Sequence, residues 1–79
     1  RVEAEVLADS YVEATVDGEQ VMVEILEPGE DQVWLGQESV SLRIGNAAGI
    51  RLTVNGVEVG TLGDQGEVVD VEYRADNLP

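Results

Sequence analysis

Apolar and polar residues alternate along most of this chain, the period of a strand with one buried face. Val2, Ala4, Val6 and Ala8 alternate with Glu3, Glu5 and Leu7, and Val12, Ala14 and Val16 alternate with Glu13 and Thr15. A turn signal at Asp9-Ser10 separates the two runs. Val21, Val23 and Ile25 form the next apolar set, against Met22, Glu24 and Leu26. A short strand from Gln32 to Leu35 ends at Gly36. Val40, Leu42 and Ile44 then alternate with Ser39, Ser41 and Arg43, and Ile50, Leu52 and Val54 with Arg51 and Thr53. Val57 and Val59 make a short return strand. Val69, Val71 and Tyr73 close the pattern against Asp70, Glu72 and Arg74. No segment shows a helical period.

The punctuation between these runs has specific chemistry. Asp17-Gly18 and Asn55-Gly56 are hairpin signals, since a type I′ turn needs positive φ at both central residues. Pro28-Gly29, inside the loop Glu27 to Asp31, has the make-up of a type II turn. Gly45-Asn46-Ala47-Ala48-Gly49 interrupts two strands. Gly60 to Gly66 reads as a loop, with Leu62 tucked inward. Seven or eight short, mostly antiparallel strands at this spacing predict an all-β domain, a β-sandwich or a partly open barrel, and a small β-sandwich is the reading taken. Residues 1–74 form one such domain, and 75–79 read as a flexible tail. With no initiator methionine before Arg1, the chain reads as a piece of a longer protein.

Composition narrows the function more than the fold. The chain has 79 residues, no cysteine and no histidine, so neither a disulfide nor a zinc site staples it and the core must suffice. There is no phenylalanine, and Tyr11, Trp34 and Tyr73 are the aromatic residues. The net charge is −13, with Arg1, Arg43, Arg51 and Arg74 as the cations. A polyanion such as nucleic acid needs clustered positive charge, which this domain lacks. An anionic bilayer surface repels it for the same reason.

Catalytic chemistry finds little to work with. Ser10, Ser39 and Ser41 have no histidine, cysteine or lysine beside them to act as base or nucleophile. Carboxylate pairs for glycoside hydrolysis will occur by chance among 17 acids, but a domain this small has little room for a cleft. Glu27, Glu30 and Asp31, or Asp64 with Glu67, could hold calcium, yet their spacing is not that of a calcium loop and a solvated acidic loop is the simpler reading. The chain is therefore expected to be no enzyme and to carry no metal or cofactor. Trp34 is expected in the core, because large apolar residues are scarce; exposed, it would serve a sugar ring or a partner. Tyr11 and Tyr73 are expected in the core too, with hydroxyls at the sheet rim.

The stretch from Leu42 to Gly56 resembles the C-terminal extracytoplasmic domain of the RodZ family of bacterial cell-shape proteins. The likeness rests on Gly45, Asn46, Ala47, Gly49, Asn55 and Gly56, in that order and spacing. Ser10 to Gly18 is similar to the family's opening strand, with Tyr11 where a tryptophan is usual. Leu26 to Glu30 and Gly66 to Val69 agree as well, so the likeness covers roughly residues 2–74. The motif residues are expected to do structural jobs. Gly45 and Gly49 would supply positive φ or close approach between sheets, and Asn46 would bond its own neighbouring backbone.

The resemblance implies a β-sandwich-like domain on the outer face of a bacterial cell membrane. The parent would carry a cytoplasmic helix-turn-helix domain that touches an actin-like protein, and a single membrane-spanning helix. The outer domain would meet the cell-wall elongation machinery. The expected function is thus a noncatalytic protein-interaction domain. Arg43, Arg51 and Thr53 on one face, Trp34, and the loop Glu27 to Asp31 are the candidate contacts. A small cell-wall carbohydrate-binding module is the alternative, and a passive spacer domain the third.

Overall fold

The computed structural model describes residues 1–75. The tail expected over 75–79 lies, from residue 76 on, outside the described residues. Among the described residues eight strands form, in chain order: β1 (Val2–Val6), β2 (Ser10–Val16), β3 (Glu19–Leu26), β4 (Gln32–Trp34), β5 (Ser39–Ile44), β6 (Ile50–Val54), β7 (Val57–Gly60) and β8 (Val69–Arg74). They make two four-stranded antiparallel sheets, ordered β4-β1-β6-β7 and β3-β2-β5-β8. The expected all-β sandwich is what the chain forms. Among the described residues the one helical element is a single 3-10 turn, Ala47–Gly49, between β5 and β6.

The inner faces follow the alternation. Val2, Ala4 and Val6 of β1, Val12 and Ala14 of β2, Val40, Leu42 and Ile44 of β5, and Ile50, Leu52 and Val54 of β6 are buried together. Each large aliphatic side chain so buried contributes about 1.5–3 kcal/mol. Trp34 joins them at 6% exposure, the core anchor expected of it. Leu62 packs against this core from the β7–β8 loop, as do Val69, Val71 and Tyr73 of β8.

Two strands depart from the expectation. In β3 the buried face is the other one: Val21, Val23 and Ile25 are exposed, while Leu26 is buried and Met22 packs on the core. The cause is register. Ile25 lies opposite Tyr11 and Val23 opposite Glu13, and directly opposed residues share a face. Ser10, Val12 and Ala14 point inward, so Tyr11 points outward and is exposed. Tyr11 is therefore not a core residue. Nor is Ser10 part of a turn; it opens β2 and is buried.

The predicted turns are present. Asp17 and Gly18 have φ of 51° and 81°, and Asn55 and Gly56 of 50° and 80°, the type I′ pattern. Gly29 supplies the positive φ of its turn. The Asp17 carboxylate also accepts the backbone N–H groups of Gln37, Glu38 and Ser39 at 3.0, 2.7 and 3.0 Å. This ties the β2–β3 hairpin to the crossing between β4 and β5. Those donors hold the Asp17 pKa below its ordinary 3.8, since they bond the charged form.

The link from β5 to β6 is the tightest part of the fold. Asn46 Nδ2 donates to Asp9 O at 3.0 Å, and Asn46 Oδ1 accepts from Gly66 N at 2.8 Å. It thus joins the β1–β2 and β7–β8 loops rather than bonding its own neighbours. The buried Ser10 hydroxyl accepts from Asn46 N at 3.0 Å and donates to Asn46 O at 3.2 Å. Gly49 O accepts from Leu7 N and Ala8 N, and Ala47 N donates to Glu67 O. Neither Gly45 nor Gly49 has positive φ. Close approach is their reason: a Cβ on Gly49 would stand 2.8 Å from Ala8 O, and one on Gly45 3.0 Å from Tyr11 Cβ.

Denaturant unfolding followed through Trp34 fluorescence reads the strength of both sets of contacts. Gly49→Ala overpacks the link and is expected to destabilise by about 1–3 kcal/mol. An unchanged midpoint would show that the loop gives way easily. The second concerns Asp17. Its folded pKa lies below the unfolded one, so its contribution is complete above the unfolded value and is lost as pH falls through the folded value. Asp17→Asn is accordingly expected to be less stable than the parent at neutral pH. That gap should close as pH drops below 3.8. A gap that persists in strong acid would remove the charge from the explanation.

Candidate interaction surface

The residues singled out from sequence are split between the two outer faces. Arg43 projects from β5 on one sheet; Arg51 and Thr53 project from β6 on the other. They do not share a face. Consecutive apolar runs invite one continuous sheet, but the chain changes sheets between β5 and β6. Trp34, on β4, is buried and offers no ring to a partner.

On the β3-β2-β5-β8 face, a shallow depression of about 420 Å³ is lined by Glu13, Thr15, Ser41, Arg43, Asp70 and Glu72. Arg43 lies directly opposite Asp70 and donates to both of its oxygens, at 2.9 and 3.2 Å. The guanidinium holds the Asp70 pKa below its usual value, chiefly through this hydrogen bond. Ser41 Oγ donates to Glu72 at 3.2 Å. Tyr11 stands in the next row beside Glu13, where desolvation first and then that carboxylate hold the phenol pKa above its usual value. Arg43 is the cation lining this depression, and it is bonded to Asp70.

The β4-β1-β6-β7 face repeats the arrangement. Arg51 lies opposite Glu5, hydrogen-bonds it through Nε at 2.9 Å and through Nη2, and approaches Glu58 at 3.9 Å. Glu3, Asp31, Val33 and Thr53 surround the pair in a depression of about 230 Å³. All these ion pairs are exposed, so each is worth little for stability. Their effect is on the face: each arginine masks carboxylates that would otherwise repel across the strands.

Two of the three carboxylates of the acidic loop Glu27 to Asp31 bond backbone. Glu30 accepts from Glu27 N at 2.8 Å, and Asp31 accepts from Val6 N at 2.9 Å. Asp64 and Glu67 form a local turn in which Glu67 accepts from Asp64 N at 2.8 Å. Among the described residues, no group of three or more acidic side chains gathers as for a metal ion. No described helix is long and apolar enough to cross a membrane.

Sequence reasoning missed the exposed stripe beside Tyr11. Val21, Val23 and Ile25 stand at 52%, 49% and 68% exposure along β3, an edge strand. The signal that could have found it is the pairing of β3 with a β2 whose inward set includes Ser10. The hairpin turn at Asp17-Gly18 points to that pairing, but the bulge between Ala14 and Thr15 shifts the register within it.

The motif residues Gly45, Asn46, Ala47, Gly49, Asn55 and Gly56 all serve backbone geometry, as the preceding contacts show. Comparison of the chain with curated proteins gave no match, and comparison with solved structures gave none either. Residues 3–72, almost the whole of the two sheets, match the family described as the RodZ C-terminal domain. With its glycine-asparagine link and Asn-Gly hairpin set within that span, the chain belongs to the RodZ C-terminal domain family.

Proposed function

We propose that this domain is a noncatalytic protein-interaction module, held outside a bacterial cell membrane by a longer parent and serving cell shape or cell-wall elongation. The observation that carries this reading is the family match over residues 3–72. The cell-shape role is what the resemblance to that family implies. The chemistry of the faces supports a docking role over a catalytic one. The chain has no histidine, cysteine or lysine, and Glu5, Asp17, Asp31 and Asp70 are each engaged by an arginine or by backbone N–H groups. A net charge of −13 favours a basic partner and a salt-sensitive association rate.

The carbohydrate reading loses its usual device. Aromatic platforms need exposed rings on one surface. Trp34 is buried, Tyr73 packs against the core, and Tyr11 stands alone on its outer face.

A two-dimensional amide NMR titration tests the proposal. The additions are purified peptidoglycan fragments and the outer domains of elongation-machinery proteins. Localised shifts with a protein domain, weakening as salt rises, are the expected result. Localised shifts with glycan alone would overturn it in favour of a sugar reader. Silence with every addition would overturn it in favour of a spacer.

A further inference from the structure

The four sheet edges are unequally protected. In the first sheet β4 has three residues, and β7 has four, with a register shift beside it and Gly60 at its end. Short and irregular edges offer little to an incoming strand. In the second sheet β8 turns Asp70, Glu72 and Arg74 outward, a charged edge. The remaining edge, β3, is the longest strand, with eight residues. Its outward positions are the apolar Val23 and Ile25, with Val21 at the bulge and Tyr11 alongside on β2. The segment from Met22 to Leu26 pairs regularly with β2 and leaves its other side open.

Charge says what this edge takes. β2 and β3 contain no basic residue, and carry Glu13, Glu19 and Glu24, with Glu27 just beyond. Glu24 occupies the inward phase of β3 yet is exposed, as expected at an open edge. A strand added there would set one residue opposite Glu24 and its flanking residues opposite Val23 and Ile25. A second copy of this chain would bring another −13 and more glutamates to the same line.

We infer that β3 is a docking edge for an extended segment of a basic partner, one that alternates apolar residues with lysine or arginine. Apolar side chains of the incoming strand extend the Val23–Ile25 stripe, its cations meet Glu24 and the glutamate rim, and its backbone continues the sheet. This rests on the interaction reading above and names the chemistry of the partner.

The test uses blocked eight-residue peptides and the amide spectrum of the chain. A peptide alternating lysine with valine is expected to shift the amides of β3 and β2, with affinity falling as salt rises. Glutamate in place of lysine should abolish the shifts. Serine in place of valine should weaken binding at least about tenfold. Glu24→Lys should weaken the lysine peptide roughly threefold to tenfold and let the glutamate peptide bind. Val23→Thr with Ile25→Thr keeps β-branched residues at exposed sites, and should weaken binding while leaving the other amides in place.

Equal shifts from the lysine–serine peptide would overturn the inference, since bare charge would explain them. So would no shift at all, or shifts of β3 amides with protein concentration alone, which would make a second copy the occupant. A whole partner that shifts amides away from β3 removes this edge and leaves the interaction reading standing. Silence with every partner removes that reading itself.

Discussion

The fold depends on one crossing. The chain must leave one sheet at Ile44 and enter the other at Ile50, and both of those side chains belong to the core. The link between them is therefore short and pressed against its neighbours. Its backbone groups cannot all reach water, so they need partners from elsewhere in the chain. Asn46 supplies the means. One amide side chain donates to the β1–β2 loop and accepts from the β7–β8 loop, while its backbone exchanges hydrogen bonds with the buried Ser10. Gly49 lets the Ala8 carbonyl come close enough for this to work. Loops far apart in sequence are thus fixed by one residue, and the ends of both sheets with them. The Asp17 carboxylate does the same for the hairpin and the β4–β5 crossing.

A small acidic domain without a disulfide or zinc site has to reconcile a dry core with a crowded negative surface. The strands do so by alternation. Aliphatic residues fill the inside, and the outside carries charge in cross-strand rows. Arg43 faces Asp70 and Arg51 faces Glu5, each on a central strand of its sheet. Such exposed pairs add little stability on their own. Their place in the middle of a row still matters, because uncompensated carboxylates across neighbouring strands repel. The two arginines named from sequence as candidate contacts are thus each paired within their own face.

Much of the fold was legible because local chemistry is decisive where it occurs. Asp17-Gly18 and Asn55-Gly56 allow few turns other than the ones they make, and β5 and β6 bury the face their alternation names. Trp34 is expected inside because large side chains are scarce in this core, and it is buried. The failures share a cause, which is that the face of a strand belongs to its pairing and not to its sequence. β3 reads Val-Met-Val-Glu-Ile-Leu, apolar in both phases, so only the register against β2 decides. Tyr11 follows from the same register, since the small polar Ser10 takes the inward place beside Asn46. The grouping of Arg43 with Arg51 failed because nothing within Gly45 to Gly49 announces a change of sheet. Asn46 has local partners available in any sequence reading, and its actual partners at Asp9 and Gly66 exist only after the sheets have met.

The residues that reveal the family are all of this inner, geometric kind. Gly45 and Gly49 allow close approach, Ala47 is buried, Asn46 ties loops, and Asn55-Gly56 turns a hairpin. A pattern made of such residues reports how the chain folds and is silent about what it meets. Information about a partner has to lie in positions that the fold leaves free, which are the outward residues and the edges. On the two broad faces, arginines and acids largely answer one another. The edge at β3 is the longest of these, and it exposes Val21, Val23 and Ile25 beside Tyr11 at a cost in solubility that the surrounding glutamates offset. An arrangement that the core does not require, and that charge is disposed to keep soluble, is where recognition by this domain is most economically sought.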